Sequence, residues 1–329
     1  MSDTIIDVKN LRKYFKVHQK EPGLSGSIKS LFSRKYYDVK AVDDISIEIK
    51  EGELVGFIGP NGAGKTTTLK TLSGLLHPTS GHISVLGYKP WERKPEFQRK
   101  FSLVMGQKNQ LWWDLPAQET FILNKEIYEI PTDQYNQTLN ELVELLEVQD
   151  LLKVQVRKLS LGQRMKMELI AALIHSPKVL FLDEPTIGLD VVMQKKIREF
   201  LKEYNLSHNA TIILTSHYME DVKELCERVI VIDHGKILFD GKLDEIIKKF
   251  ATHKTLEIVF EEDIDPEKLK ELGKIKQFEP PKAILEVKRS KVSEVAADLL
   301  KQFPVEDLNI IEPDIEDIIR EVFAGRLLS

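Results

Sequence analysis

One cysteine in 329 residues, Cys226, leaves the chain with no internal disulfide and no cysteine zinc cluster. Val222, Leu225 and Val229 around it fall in a helical pattern, which predicts a small core filler rather than a reactive thiol. No apolar run approaches the roughly 20 residues that a membrane-spanning helix needs. The opening Met1-Ser-Asp-Thr-Ile-Ile6 also lacks the basic start and long apolar core of an export signal, so the chain is expected to stay in the cytosol and to meet a membrane through partners. Excess positive charge is missing as well. With a net charge of −5 and a pI near 6.0, nothing global attracts nucleic acid, and none is expected as a partner. There is no repeat and no low-complexity tract. Hydrophobic residues at 42% against 30% charged argue against large-scale disorder, and the length suffices for one large or two smaller domains.

What the sequence does have is Gly59, Pro60, Asn61, Gly62, Ala63, Gly64, Lys65, Thr66 and Thr67 in one stretch, after the apolar run Leu54–Ile58 and before the helix-compatible Leu69–Leu72. Glycines at 59, 62 and 64 let the backbone turn tightly and aim its N–H groups inward. Lys65 adds a point charge for terminal phosphates, Thr66 a hydroxyl for Mg²⁺, and a helix starting near Lys65 the positive end of its dipole.

Other segments supply the frame. Ile5–Val8 reads as a short strand, and Val42, Ile45, Ile47 and Ile49 alternate with Asp44, Ser46, Glu48 and Lys50 as a half-buried one. Between them, His18 to about Lys35 is an insert in which Leu24, Ile28, Leu31 and Phe32 share a helical face beside Lys29, Arg34 and Lys35. It suits either a solvated linker with a helical turn or an amphipathic helix against a membrane or membrane partner. Residues 111–157 are mostly helical by pattern. Trp112 and Trp113 at their entrance cannot both face one core from a regular helix, so either one is exposed or both tuck inward from a loop. Lys178–Glu184, Ala210–Ser216 and Val229–Asp233 are short apolar runs of the kind that form buried parallel strands. Past Phe250 the pattern restarts as a small α+β domain: strands at 255–260, 283–287 and 308–311, helices at 292–302 and 315–322.

Phosphoryl transfer from a nucleotide needs a cradle, a metal, an oriented water and charge stabilisation. Asp183, at the end of a buried run, can hold Mg²⁺ through its water shell, and Glu184, one residue further out, can take a proton from water. His217 follows the neighbouring run and can reach a γ-phosphate. Ser160 with Gln163 fits a capping box for the helix that carries Met165, Leu169 and Leu173. That explains the motif structurally, but a serine-capped helix start with Gly162 beside it is also an anion site, able to grip a nucleotide from another subunit.

In this order and spacing, Gly59–Thr67, Gln107, Leu159–Gln163, Leu180–Pro185, Gly188–Asp190 and His217 resemble the ATP-binding subunit of an ABC transporter over roughly residues 4–240. The resemblance implies an α/β P-loop NTPase core: a parallel sheet, an antiparallel β subdomain and a helical subdomain at about 110–165. It implies a domain at 1–250 followed by an accessory α+β domain at 251–329. It implies head-to-tail stacking with a second copy or a homologous subunit, each ATP lying between the Lys65 loop of one and the Ser160, Gly162 and Gln163 end of the other. Glu184 would be the general base and His217 the γ-phosphate sensor. Gln107 would bind Mg²⁺ with Thr66 and Asp183 and sense a separate membrane permease, Asp190 would link the two sites, and Tyr36 would stack on adenine, with Tyr37 and Tyr14 as alternates. The family's usual second signature glycine is Leu161 here. The tail resembles that of ATPases serving drug, lipid and polysaccharide exporters, and the insert is similar in position to the gate helix of the polysaccharide group. Export by a peripheral subunit on the cytoplasmic face is the expectation. A non-transport ATPase acting on ribosomes or DNA and an importer subunit with a regulatory tail are the alternatives.

Overall fold

The computed structural model describes residues 4–18, 36–106, 108–313 and 315–323. The insert beyond His18 and Gln107 therefore lie outside the described residues. Contacts divide the chain into two units, Met1–Asp240 and Gly241–Ser329. The strands of the first are β1 (Thr4–His18), β2 (Tyr36–Lys50), β3 (Leu54–Ile58), β4 (Ser80–Val85), β5 (Phe101–Met105), β6 (Val179–Asp183), β7 (Thr211–Thr215), β8 (Arg228–Asp233) and β9 (Lys236–Lys242).

Two sheets form from them. A six-stranded sheet runs β5-β6-β7-β3-β8-β9, with β6 parallel to both neighbours and β3 parallel to β7 and β8. Every residue of β6 and β7 is buried, which is why both read as unbroken apolar runs rather than alternating ones. His234 and Gly235 join β8 to β9 with positive φ at both positions, 46° and 75°, the geometry of a two-residue hairpin turn. The second sheet, β2-β1-β4, is antiparallel. Its inward residues Ile6, Val8, Leu11, Val42, Ile45, Ile47 and Ile49 share one core with Phe57, Leu69, Phe181 and Ile230 of the parallel layer. β1 is far longer than the short strand its first residues suggest, because register shifts at several points break the period of two.

The helical subdomain consists of the helices Ala117–Ile127, Thr132–Leu145 and Leu161–Leu173. The last of these buries almost its whole surface. Leu111–Leu115 at the entrance is not helical, and both tryptophans are exposed, 56% and 49%. Neither expected arrangement holds, since the turn points both rings outward and Trp113 lies against the Arg164 guanidinium 5.5 Å away. Cys226 is buried in the core as expected, although its helix, Met219–Leu225, stops just before it and Val229 belongs to β8. Burial pushes its thiol pKa up, which makes it inert.

The second unit starts with the helix Leu243–Phe250 and builds a four-stranded antiparallel sheet from β10 (His253–Phe260), β11 (Lys274–Glu279), β12 (Lys282–Lys288) and β13 (Val305–Ile311), in the order β11-β12-β10-β13. Helix Val292–Gln302 lays Val292, Val295 and Leu299 on Leu256, Ile258, Phe260, Leu285 and Val287, giving this unit its own core.

One buried imidazole makes the first unit sensitive to acid. His175 stacks on Tyr128 with ring centroids 3.9 Å apart, its Nε2 lies 3.1 Å from the Phe101 carbonyl oxygen, and burial lowers its pKa from 6.5 to about 4. The folded state thus keeps it neutral where the unfolded chain binds a proton. Its contribution is fully present above pH 6.5 and is lost as pH falls towards 4, on the order of 3 kcal/mol in all. His175→Phe is expected to flatten the pH dependence of the urea midpoint between pH 6.5 and 4; an unchanged slope would assign that dependence to other groups.

Candidate functional site

The glycine loop connects β3 to the helix Lys65–Leu72, and its shape is set by close backbone approach. A Cβ on Gly59 would stand 2.2 Å from the Ile232 carbonyl oxygen, and one on Gly64, at φ 111°, 2.4 Å from that of Ala41. Gly62, also at positive φ, meets nothing within 4 Å on that side. Within the loop the Ala63 N–H donates to the Pro60 carbonyl, and the Thr68 N–H to Gly64. Lys65 is buried. Its ammonium donates to the carbonyl oxygens of Gly59 (2.5 Å) and Pro60 (3.1 Å). Burial lowers the Lys65 pKa, opposed by the charges of Glu184 and Asp183. An amine held by loop carbonyls and within the field of two carboxylates is set to bind an anion placed in the loop.

Three elements meet at Asp183. Its Oδ2 accepts from Thr66 Oγ1 at 2.7 Å and its Oδ1 from Thr215 Oγ1 at 2.7 Å, which joins the glycine loop, β6 and β7 through one carboxylate. The next residue, Glu184, has φ 57°, a conformation costing a non-glycine residue about 1–2 kcal/mol. Its N–H is held by the carbonyl and hydroxyl of Thr215. The turn this makes puts Glu184 Oε1 2.6 Å from His217 Nε2. The structure therefore brings Lys65, Thr66, Asp183, Glu184 and His217 to one edge of the sheet, where β3, β6 and β7 end.

The segment that leads to Gln107 is tied at both ends. The Gly106 N–H donates to the Asp183 carbonyl at 2.8 Å, and a Cβ on Gly106 would lie 2.1 Å from the Glu184 carbonyl oxygen. Further on, the N–H groups of Gln110 and Leu111 donate to the buried carboxylate of Glu168, on the helix Leu161–Leu173. Desolvation raises the Glu168 pKa against those two hydrogen bonds.

The start of that helix is the expected capping box, closed in both directions. Ser160 Oγ accepts from the Gln163 N–H and Gln163 Oε1 from the Ser160 N–H. A Cβ on Gly162 would sit 2.7 Å from Met193 Cγ, and Leu161 Cδ2 lies 3.1 Å from where a Gly188 Cβ would be. The box therefore adjoins the turn before Asp190 and the helix Val191–His208. Asp190 caps that helix, accepting from the Met193 N–H at 2.9 Å. Beside it Val191 and Val192 are 76% and 69% exposed.

Tyr36 begins β2, five residues before Ala41, with His18 of β1 opposite it. Tyr14, across from Lys40, spends its hydroxyl on Asp43. Sequence reasoning missed Phe15, which pairs with the exposed Val39 two residues from Ala41. It also missed Thr215, Glu168 and the buried Asp221, none of which lies in a motif.

A family model described as ABC transporter matches residues 42–187. One relative is the ABC transporter ATP-binding protein NatA of Bacillus subtilis (strain 168), 34% identical over 218 residues, 65% of this chain and 88% of NatA. The chain belongs to the ABC transporter ATP-binding family. The Nod factor export ATP-binding protein I of Cupriavidus metallidurans is 37% identical over 215 residues, covering 65% of this chain and 70% of that protein. The bacitracin transport ATP-binding protein BcrA of Bacillus licheniformis is 34% identical over 217 residues, 66% of this chain and 70% of BcrA. Among solved structures, cbiO1 from Clostridium perfringens, part of the ABC transporter complex cbiONQ, superposes with TM-score 0.61 at 25% identity, over 75% of this chain and 92% of that one. Residues 252–311 match a model described as EvrA-like ABC transporter, C-terminal domain.

ATP and Mg²⁺ are the family's ligands, and the chemistry of the site fits both. The loop offers inward amides and a buried ammonium to phosphates. Thr66 and Asp183 are hard oxygen donors, and no group of three or more His, Cys, Asp or Glu that would build an all-protein metal cage occurs among the described residues. Mg²⁺ suits such a sparse set, because it keeps water and phosphate oxygens in its shell. The reaction is ATP hydrolysis.

Gly106→Ala would force its methyl against the Glu184 carbonyl. Overpacking of this kind costs about 1–3 kcal/mol, so the variant is expected to denature at lower urea concentration and to lose turnover; a midpoint and turnover equal to the parent's would show that the Glu184 turn yields freely.

Proposed function

We propose that this chain is the ATP-hydrolysing subunit of an exporter, working at the cytoplasmic face of the membrane. Two copies, or this chain and a homologous subunit, close on two MgATP and drive a separate transmembrane permease. The observation that carries the hydrolytic reading is the Glu184–His217 contact of 2.6 Å beside the Asp183–Thr66 pair. A carboxylate placed there can take a proton from water at the γ-phosphate. The imidazole bonded to it can donate to a phosphate oxygen and keep the carboxylate aimed. Lys65 neutralises terminal phosphates, and Thr66, Asp183 and Gln107 are assigned to Mg²⁺, which when bound draws charge from the phosphate oxygens.

Dimer closure is supported by the exposed Val191 and Val192 and by Leu161, 37% exposed, which leave an apolar margin beside the Ser160 helix start. Ser160, Gly162 and Gln163 are assigned to the nucleotide of the facing copy, and Asp190 to the link between the two sites. The export reading draws on the relatives named for Nod factor export and bacitracin transport. The place at the membrane follows from a permease partner, because no helix among the described residues is long and apolar enough to cross a bilayer. For adenine, the half-buried Phe15 beside the exposed Val39 is the platform assigned in preference to Tyr36, which lies three residues further from Ala41 along β2 than Val39 does.

Glu184→Gln in the purified chain is expected to reduce ATP turnover about a hundredfold or more while MgATP still binds; turnover within threefold of the parent in a folded variant would remove Glu184 as base. Lys65→Ala should abolish nucleotide binding in calorimetry. Base stacking is worth about 1–3 kcal/mol, so Phe15→Ala should weaken ATP binding roughly tenfold and Tyr36→Ala hardly at all; the reverse ranking would move the platform to the far end of the ribbon.

A further inference from the structure

Behind the Glu184–His217 pair lies a carboxylate with no part in the motifs. Asp221, on the helix Met219–Leu225, is 0% exposed. Its Oδ2 accepts from Thr186 Oγ1 at 2.5 Å and from Ser216 Oγ at 2.6 Å, and its Oδ1 accepts from Arg198 Nη1 at 3.0 Å. Thr186 stands two residues after Glu184, and Ser216 immediately before His217. Both hydroxyls are buried. The Ser216 hydroxyl in turn accepts from the Tyr218 N–H at 2.9 Å, which wraps the chain around His217. On the other side, Gln194 Nε2 donates to the carbonyl of Leu189 at 3.2 Å, and at the longer 3.5 Å to that of Thr186.

We propose that Asp221 is a positioning residue for ATP hydrolysis: one buried carboxylate oxygen holds the turn after Glu184 and the turn before His217 in a common frame. The inference rests on the reading of Glu184 and His217 as the hydrolytic pair. Three features favour positioning over simple burial of a polar side chain. Both hydroxyl bonds converge on the same oxygen, so the two turns cannot move independently without losing one of them. The other oxygen is fixed by Arg198, whose Nε is itself anchored to Glu224 Oε2 at 2.8 Å, so the carboxylate cannot rotate to follow a displaced partner. Finally, the backbone at Glu184 is held at positive φ, a conformation that persists only where its surroundings impose it. The Thr186 bond is one such restraint, and the Thr215 bonds to the Glu184 N–H are another. Cutting the Asp221 bonds should let the carboxylate and imidazole drift apart while the glycine loop, Thr66 and Asp183 stay in place.

The test uses the full-length chain and single isosteric deletions, because Asp221→Asn would turn an amide donor towards other donors and need not fold. Thr186→Val and Ser216→Ala each remove one bond to Asp221. Each is expected to lower kcat for ATP about tenfold, the scale of a small misplacement of a catalytic group, with KM and calorimetric MgATP affinity within twofold of the parent. Thr186→Ser, which restores the hydroxyl, should return kcat to within twofold, and the Thr186→Val, Ser216→Ala double variant should lose less than the product of the two single losses. Glu184→Gln is measured alongside. If it abolishes turnover while Thr186→Val and Ser216→Ala keep kcat near the parent's value, the positioning role is overturned and the hydrolytic pair stands. If Glu184→Gln itself retains turnover, the underlying reading fails. Equal losses in kcat and affinity would mark Asp221 as a structural residue and overturn the proposal too.

Discussion

The structure depends on one carboxylate, Asp183, accepting from Thr66 and from Thr215. These hydroxyls belong to the first turn of a helix and to a strand, separated from Asp183 by 117 and 32 positions in the chain, so folding must bring three elements together before both bonds exist. A buried, singly bonded carboxylate would carry much of its desolvation cost uncompensated; bonds on both oxygens offset that cost. The sheet order explains how the bonds arise. β7 lies between β3 and β6, so its last residue, Thr215, faces Asp183 directly and the loop leaving β3 reaches over it. The same crowding forces the chain to turn at once after Asp183, which is where Glu184 adopts its positive φ.

Two further bonds carry this edge outwards. Gly106 ties the end of β5 to the Asp183 carbonyl, and Glu168 ties the following segment to the helix that begins at Ser160. Between those two anchors lies the residue assigned to metal and permease, and just beyond them stand the exposed Trp112 and Trp113. A displacement at the tryptophans therefore has short covalent routes to the hydrolytic edge and, through Glu168, to the helix start assigned to the facing copy. Each link has a backbone N–H as its donor, to the Asp183 carbonyl at Gly106 and to the Glu168 carboxylate at Gln110 and Leu111, and gives little in length before it breaks.

The core of the site was readable because its parts sit where pattern and burial coincide. Asp183 and Glu184 end an apolar run that is wholly buried, and the Ser160–Gln163 spacing encodes a cap that needs no distant partner. Thr215, Asp221 and Glu168 were not readable. Their roles depend on partners as far as 32, 35 and 58 positions away, joined only once the sheet is ordered. The base platform is hard to read for another reason. β1 carries register shifts between Val8 and Leu11 and between Lys13 and Tyr14, so neither alternation nor counting back from Asp44 fixes which aromatic lies opposite Val39. β11 went unseen because its sequence, Lys-Ile-Lys-Gln-Phe-Glu, is that of a charged edge strand with few buried positions.

The departure at Leu161 bears on how a nucleotide would be gripped across a dimer. Leucine at that position folds back towards Gly188, so its bulk lies along its own chain as well as over the helix start. The donors at that end are also partly spent. The Ser160 and Gln163 N–H groups are satisfied within the box, at 2.9 and 3.2 Å, which leaves those of Leu161 and Gly162 as the first helix amides not used by it. Ser160 Oγ only accepts within the box, so its own O–H stays available to donate to a phosphate while the cap is kept. The attraction of a phosphate to a helix N-terminus is about 0.3–1 kcal/mol when exposed and up to ~2 when partly buried, so it strengthens as the site is shielded from water. In the proposed dimer, the capped helix start would therefore gain most of its hold on phosphate as the facing copy covers it, and the second half of the site would form with closure rather than before it.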